Sequence, residues 1–279
     1  MNAKKNKMFG LGVWVGITAF LIGCMGASGA ADPKPSPDQI IEMLKAGNAR
    51  FVSGAATHPH SDAARLALAG KENQGDYAIA TVLACSDSRV PVERIFDVGV
   101  MDIFVVRVPG NVCNVDEIGS IEYGLAHVKT PVLVILGHTQ CGAVTAVTHA
   151  AEGKGHALER NIPPLIAGIR PALDRSIAKH PDVHGDDIIP YAIEENIWQA
   201  VENLFFASPA TRSLVHDGKV KVIGAMYDVA TGQVRWLEES KITDILTRVE
   251  ANPNRPMDPM AEEKHDHGSS AKPHAAEEK

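Results

Sequence analysis

The sequence predicts an α/β fold: a central, mainly parallel sheet of four to five strands covered by helices on both faces. Three observations carry this. Short apolar runs, such as Ala78 to Ala84, Val132 to Leu136 and residues 219–226, read as strands buried on both faces. Segments with apolar residues at helical spacing separate them. Chemically distinctive residues stand directly after the first two runs, at the carboxyl edge where open α/β sheets place their sites.

The length of 279 residues fits one domain with tails, and a hydrophobic content of 45% is ample for its core. Aromatics make up 5% and the formal charge is −7, which argues against a nucleic-acid partner, since phosphate binding needs a basic face. Residues 1–31 are expected to be an export signal. Lys4, Lys5 and Lys7 precede an apolar run from Met8 to Ile22, and small residues follow through Ala31. Two cleavage sites compete. Leu21-Ile22-Gly23-Cys24 resembles a bacterial lipobox, which would leave a lipid anchor at Cys24; Ser28-Gly29-Ala30 and Gly29-Ala30-Ala31 resemble ordinary signal-peptidase sites. An uncleaved anchor is the alternative, although the run is short against the roughly 20 residues of a spanning helix. Export implies a periplasmic or cell-envelope location.

The foldable domain is expected over residues 32–250. After a linker at 32–35, Ser36-Pro37-Asp38-Gln39 reads as a helix start, with Ser at the N-cap and Gln at the capping-box position. Ile40, Ile41, Leu44 and Phe51 give that helix an apolar face, which could cover its own sheet or a partner subunit. A polar loop over 53–76 holds a short helical stretch from Asp62 to Ala69. Strand 78–84 leads to Cys85, strand 102–107 follows, and helix 115–129 carries Ile118, Ile121, Leu125 and Val128 on one face. Strand 132–137 leads to His138, and a helix opens at Cys141-Gly142. Helical patterns fill 163–180 and 190–207, Ser208-Pro209 starts a short helix, and strands at 219–226 and 233–237 complete the sheet. Residues 251–279, charged and with His265, His267 and His274, lack apolar residues for a core and are expected to be disordered.

Cys24 belongs to the signal. Cys85, Cys113 and Cys141 then leave an odd number, which a disulfide framework does not predict in an exported protein. Two cysteines and a histidine are instead the ligand set of a zinc ion with its fourth position open for chemistry. His138 and Cys141 stand three apart where a strand turns into a helix. Cys85, Asp87 and Arg89 alternate along an extended turn, so their side chains point the same way. Cys113 reads as a buried free thiol.

Cys85-Ser86-Asp87-Ser88-Arg89-Val90-Pro91, with Gly137-His138-Thr139-Gln140-Cys141-Gly142, resembles the β-class carbonic anhydrases. The resemblance continues through Phe104-Val105-Val106-Arg107, Ser120-Ile121-Glu122-Tyr123 and Val220 to Ala225, and spans roughly residues 36–240. It implies a zinc enzyme, one Zn2+ per chain on Cys85, His138 and Cys141, acting on carbon dioxide and bicarbonate. Asp87 would orient the attacking water and Arg89 would hold Asp87. Phe104 and Tyr123 match positions lining the apolar pocket, and Gln74 matches a substrate-binding glutamine, although two extra residues separate it from Cys85. Pro109 falls at a pocket-lining position and departs from the family's usual residue. Val82 stands where members with an inhibitory bicarbonate pocket carry Trp, which implies an open site with Asp87 paired to Arg89. The family further implies a homodimer or higher even oligomer, with the N-terminal helix reaching across and the pocket at the subunit boundary.

Rival readings stay open at this point. An exported thiol-disulfide protein would use Cys85 and Cys141 but lacks a Cys-x-x-Cys and leaves His138, Asp87 and Arg89 unexplained. A family relative that hydrolyses another small linear molecule, or only binds zinc, would carry the same ligands.

Overall fold

The computed structural model describes residues 34–260. The chain begins with helix α1 (Pro37–Val52), started by the capping box read from the sequence: the Gln39 N–H donates to Ser36 Oγ, and the Ser36 N–H donates to Gln39 Oε1 at 2.9 Å. Then follow α2 (Ala63–Ala69), β1 (Ala80–Ala84), α3 (Val92–Ile95), β2 (Ile103–Arg107), α4 (Val115–Glu122), β3 (Val132–His138) and α5 (Gly142–Ala151). The remainder comprises α6 (Ile162–Ile166), α7 (Arg170–Lys179), α8 (Ile189–Ala207), α9 (Pro209–His216), β4 (Lys221–Tyr227), β5 (Val234–Trp236) and α10 (Ser240–Glu250). Among the described residues no helix is long and apolar enough to cross a membrane.

The five strands lie in the order β2-β1-β3-β4-β5, with β1, β2, β3 and β4 parallel and β5 antiparallel to β4. The fold class expected from the sequence is therefore the one observed. Side chains alternate across the sheet with a period of two. Leu83, Leu133, Ile135 and Val222 face one core, filled mainly from α5, α7, α8 and α10; Val82, Val134, Leu136 and Ile223 face the other, under α1 and α3. Apart from Thr81 and the terminal His138, the central strands β1 and β3 are apolar because both of their faces are covered.

The structure corrects the sequence reading at four places. Ile40 and Leu44 do not form a stripe for a partner. They are fully buried in their own chain, because the sheet face of Val82, Val134 and Ile223 needs a cover beyond the four residues of α3. Asn48 fastens the helix there: its Nδ2 donates to Ile95 O at 3.1 Å and to Gly232 O at 2.9 Å, while its Oδ1 accepts from the Val234 N–H. The helix expected over 163–180 is broken into α6 and α7, since Pro171 lacks the N–H and the clearance a continuous helix needs. Helix α10 was not expected. It buries Ile242, Ile245, Leu246 and Val249 against the α8 side of the core. Finally, the polar run after Glu250 is ordered as far as residue 260, in turns tied down by Arg212, whose guanidinium donates to Pro256 O. Residues 261–279 and the expected signal at 1–31 lie outside the described residues.

The helix read over 115–129 is present, but after Glu122 it widens into one π turn, Tyr123–His127. Gly124 is required in that turn: a Cβ there would lie 2.4 Å from Thr81 Oγ1 and 3.0 Å from Phe104 Cδ1.

Candidate metal centre and active site

Strands β1 and β3 are neighbours in the sheet, paired from Ala80–Val132 to Ala84–Leu136. That register delivers Cys85, just past β1, beside His138, the last residue of β3. Three residues later Cys141 forms the N-cap of α5. The ligand atoms of Cys85, His138 and Cys141 all lie within 4.8 Å of one another, and all three residues are buried.

His138 is prepared as a ligand by its own backbone. Its Nδ1–H donates to Thr139 O at 2.9 Å, which leaves the lone pair on Nε2. That Nε2 is buried and has no hydrogen-bond partner. An orphaned buried acceptor is costly, and a metal ion is the partner that fits a lone pair flanked by two sulfur atoms. The two thiols are not equivalent without a cation. The contact with Cys141 holds Cys85 far below the usual thiol range, helped by His138 and by the Gly110 N–H, which donates to Cys85 Sγ at 3.2 Å. The same contact, together with burial, pushes Cys141 up, although the amides of Val144 and Ala143 at the start of α5 oppose that rise. Metal binding releases thiol protons, so a divalent cation would let both sulfurs bind as thiolates.

Gly110 reaches the sulfur because it adopts φ +72°, and a Cβ there would lie 2.7 Å from Ile169 Cδ1. Asn196 Nδ2 donates to its carbonyl at 2.7 Å. Pro109, the departure noted in the sequence, opens this same short turn.

Asp87 and Arg89 sit at the rim. Arg89 holds the Asp87 carboxylate well below the usual carboxylate range through a side-chain hydrogen bond and its backbone N–H, against a cost of partial burial. Val82 is fully buried inside the sheet, and Asp87 is paired with Arg89 rather than turned onto the cysteines. Two further residues that sequence reasoning did not assign support this rim. Arg107 donates from Nε to Cys85 O at 3.0 Å and from Nη2 to Asp87 O at 2.7 Å, so it clamps the backbone of the loop. Gln140 accepts twice from Arg89. The sequence signals for Arg107 were its place at the end of a strand and within the Phe104-Val105-Val106-Arg107 resemblance, neither of which shows its contacts.

The remaining expected site residues are not brought to this centre within one chain. Phe104 pairs in register with Thr81, four residues before Cys85, roughly 13 Å along the strand at about 3.3 Å per residue. Tyr123 packs beside Phe104, with ring centroids 6.0 Å apart. Gln74 lies in a short turn before β1, at the opposite end of the sheet from Cys85. Cys113 is buried, and its thiol is pushed up by that burial and by nearby Glu117, so it is an inert core residue.

Comparison with known proteins agrees with this geometry. The family model for carbonic anhydrase matches residues 80–234. The chain is 34% identical over 209 residues to a carbonic anhydrase of Mycolicibacterium smegmatis, covering 72% of this chain and 94% of that one. It is 32% identical over 210 residues to carbonic anhydrase 2 of Mycobacterium tuberculosis, covering 72% and 93%. Among solved structures, the β-carbonic anhydrase CafA of Aspergillus fumigatus superposes with a TM-score of 0.56 at 23% identity, covering 76% of this chain and 99% of that one. A tetrameric β-carbonic anhydrase of Sordaria macrospora gives 0.54 at 20% identity, covering 72% and 97%. With a family match over most of the fold, relatives aligned nearly end to end and a sheet of the same architecture, the chain belongs to the carbonic anhydrase family, in its β class.

Proposed function

We propose that this chain catalyses the reversible hydration of carbon dioxide to bicarbonate and a proton, with one zinc ion per chain held by Cys85, His138 and Cys141. The observation that carries the reading is the buried, partnerless Nε2 of His138 facing two cysteine sulfurs within 4.8 Å. Bound zinc supplies the Lewis acidity that ionises water near neutral pH.

The chain's own groups supply the rest. The Gly110 N–H and the first turn of α5 stabilise negative sulfur. Asp87, kept ionised by Arg89, accepts the hydrogen of the attacking oxygen and so aims a lone pair at carbon. The attacking water gives up one proton, which passes to solvent, while its oxygen bonds to carbon and one C=O π pair moves onto oxygen, which yields bicarbonate. Carbon dioxide is apolar, so its pocket needs no charged group, and Phe104 and Tyr123 offer the apolar wall.

That wall stands far from Cys85 in one chain, and we infer a homodimer or higher even oligomer that closes the distance. Strand β2 lies at the sheet edge with its outer side unpaired among the described residues, and Tyr123 is 51% exposed. Antiparallel pairing of two β2 edges about a twofold axis would set the first half of one strand beside the second half of the other. Phe104, Tyr123 and Gln74 of a second copy would then approach Cys85. The deciding experiment is stopped-flow carbon dioxide hydration on purified protein with metal analysis, before and after chelation. Near one zinc per chain and turnover lost on chelation are expected; zinc with no turnover would leave a metal-binding relative without this activity.

We further propose that residues 1–31 direct export to the periplasm or cell envelope and that residues 32–250 form the catalytic domain. The support is the charge and apolar pattern of the sequence. Cys24→Ser should release the protein from the membrane fraction if the lipobox is used, and unchanged fractionation would favour ordinary cleavage near Ala30.

A further inference from the structure

Arg89 carries the rim of the site, yet its side chain is 45% exposed. A two-residue ion pair in contact with water is screened and competes with the rotamer freedom of a long side chain. Pairing with Asp87 alone therefore does not explain a fixed guanidinium.

Gln140 supplies what is missing. It lies between His138 and Cys141 with φ +57°, a left-handed conformation that a side chain such as glutamine rarely adopts. This turn aims both of its acceptors at one group. Gln140 O accepts from Arg89 Nη2 at 3.0 Å, and Gln140 Oε1 accepts from Arg89 Nη1 at 3.2 Å. Asp87 takes the Nε–H and another Nη2–H of the same guanidinium. Four of the five N–H donors of an arginine are thus engaged, and the plane of the group is fixed from two sides. The amide orientation is unambiguous in physical terms, because an arginine can only donate. Packing does not hold the Gln140 side chain in place. The residue is exposed and forms part of the wall of an open cavity of about 450 Å³ that also involves Thr139, Ile193 and Met226. A strained backbone on an unpacked residue points to a role in the site rather than in folding.

We propose that Gln140 is a positioning residue, which acts by clamping Arg89 so that Arg89 presents Asp87 to the reacting water. The inference rests on the catalytic reading of the Asp87–Arg89 pair given above. It separates two properties of the position. Glycine would keep the turn and the backbone acceptor and would relieve the strain. Methionine would keep the length and the strain but lose the amide oxygen.

The test uses Gln140→Gly and Gln140→Met in the full chain, each alone and with Arg89→Ala. In zinc-loaded protein both single variants should keep their metal and lose roughly 2- to 10-fold in kcat, the net worth of one solvent-exposed hydrogen bond. In the Arg89→Ala background neither should cause a further loss, since residues that act through one another are not additive. In metal-free protein, hydrogen exchange at the Arg89 Nε–H, followed by NMR and identified by its absence in Arg89→Ala, should accelerate in both variants. Unchanged exchange in both, or the same loss of kcat with and without Arg89, overturns the inference. An Arg89→Ala protein with parental kcat would instead overturn the catalytic reading of the pair, and the exchange measurement would still decide whether Gln140 holds Arg89.

Discussion

Asp87 and Arg89 meet edge to edge, with Arg89 Nη2 donating to Asp87 Oδ2 at 2.7 Å and Arg89 Nε donating to Asp87 Oδ1 at 2.9 Å. The pairing keeps the carboxylate ionised, on the loop two residues past Cys85. Asp87→Asn keeps the shape and removes the ionised acceptor. Zinc should stay bound while kcat falls by about 10²–10³, the usual loss for one well-placed electrostatic group. Parental turnover in a zinc-loaded Asp87→Asn protein would falsify the role assigned to Asp87.

The three ligands behave as a unit. Cys85→Ser, His138→Ala and Cys141→Ser should each lose metal and activity together, because a buried cation missing one of three protein ligands is poorly held. Metal analysis beside the hydration assay checks this. A His138→Ala protein that retains stoichiometric zinc would show that Nε2 is not a ligand, whatever its activity.

The edge of β2 offers a test of assembly. Val105 lies at the middle of that strand. Val105→Pro removes an N–H and fits poorly beside another strand, so it should shift the protein toward monomer in sedimentation velocity. Turnover should fall in the same samples while zinc content holds, if the apolar wall comes from a second copy. A stable, fully active monomer would rule that arrangement out.

Acid stability should reflect Asp97. Its side chain is fully buried, and burial alone would raise its pKa. Arg50, the backbone N–H groups of Thr57 and His58 and the Thr57 hydroxyl outweigh that and hold the group well below its ordinary value. A depressed carboxylate contributes stability in full above its unfolded pKa of about 3.9, and that contribution fades as pH falls toward the folded value. Asp97→Asn should therefore cost about 1–3 kcal/mol at neutral pH. The gap in melting temperature between parent and variant should narrow below about pH 4. A gap that stays constant into acid would assign the cost to shape rather than charge.

Much of this was legible in the sequence for a physical reason. Cys85 and His138 directly follow runs so apolar that only a two-sided strand could bury them, and parallel strands put their ends on one side. The capping box at Ser36 and Gln39 fixed the start of α1 in the same local way. Interactions between loops were not legible. Nothing in the spacing shows that Arg107 grips Cys85 O, or that Gln140 turns left-handed to meet Arg89. Gln74, Phe104 and Tyr123 were assigned by resemblance, which carries no distance, and the sheet register sets them apart from the Cys85–His138–Cys141 centre. Helix α10 went unread although Ile242, Ile245, Leu246 and Val249 keep helical spacing: it has no side-chain N-cap, and its charged face merges with the polar run that follows.

The two borders of the sheet are unlike. At one side β5 is only three residues long and antiparallel, with Trp236 packed beside Phe96 and Lys45 lying over its ring. At the other, β2 presents five residues of open backbone. Short strands are a common way to blunt a border against further pairing. A sheet with one adhesive side and one blunted side can grow by a single step. If two copies join along β2 as proposed, no other long open strand edge remains among the described residues, so the joined sheet would terminate itself and give a discrete particle instead of a fibre.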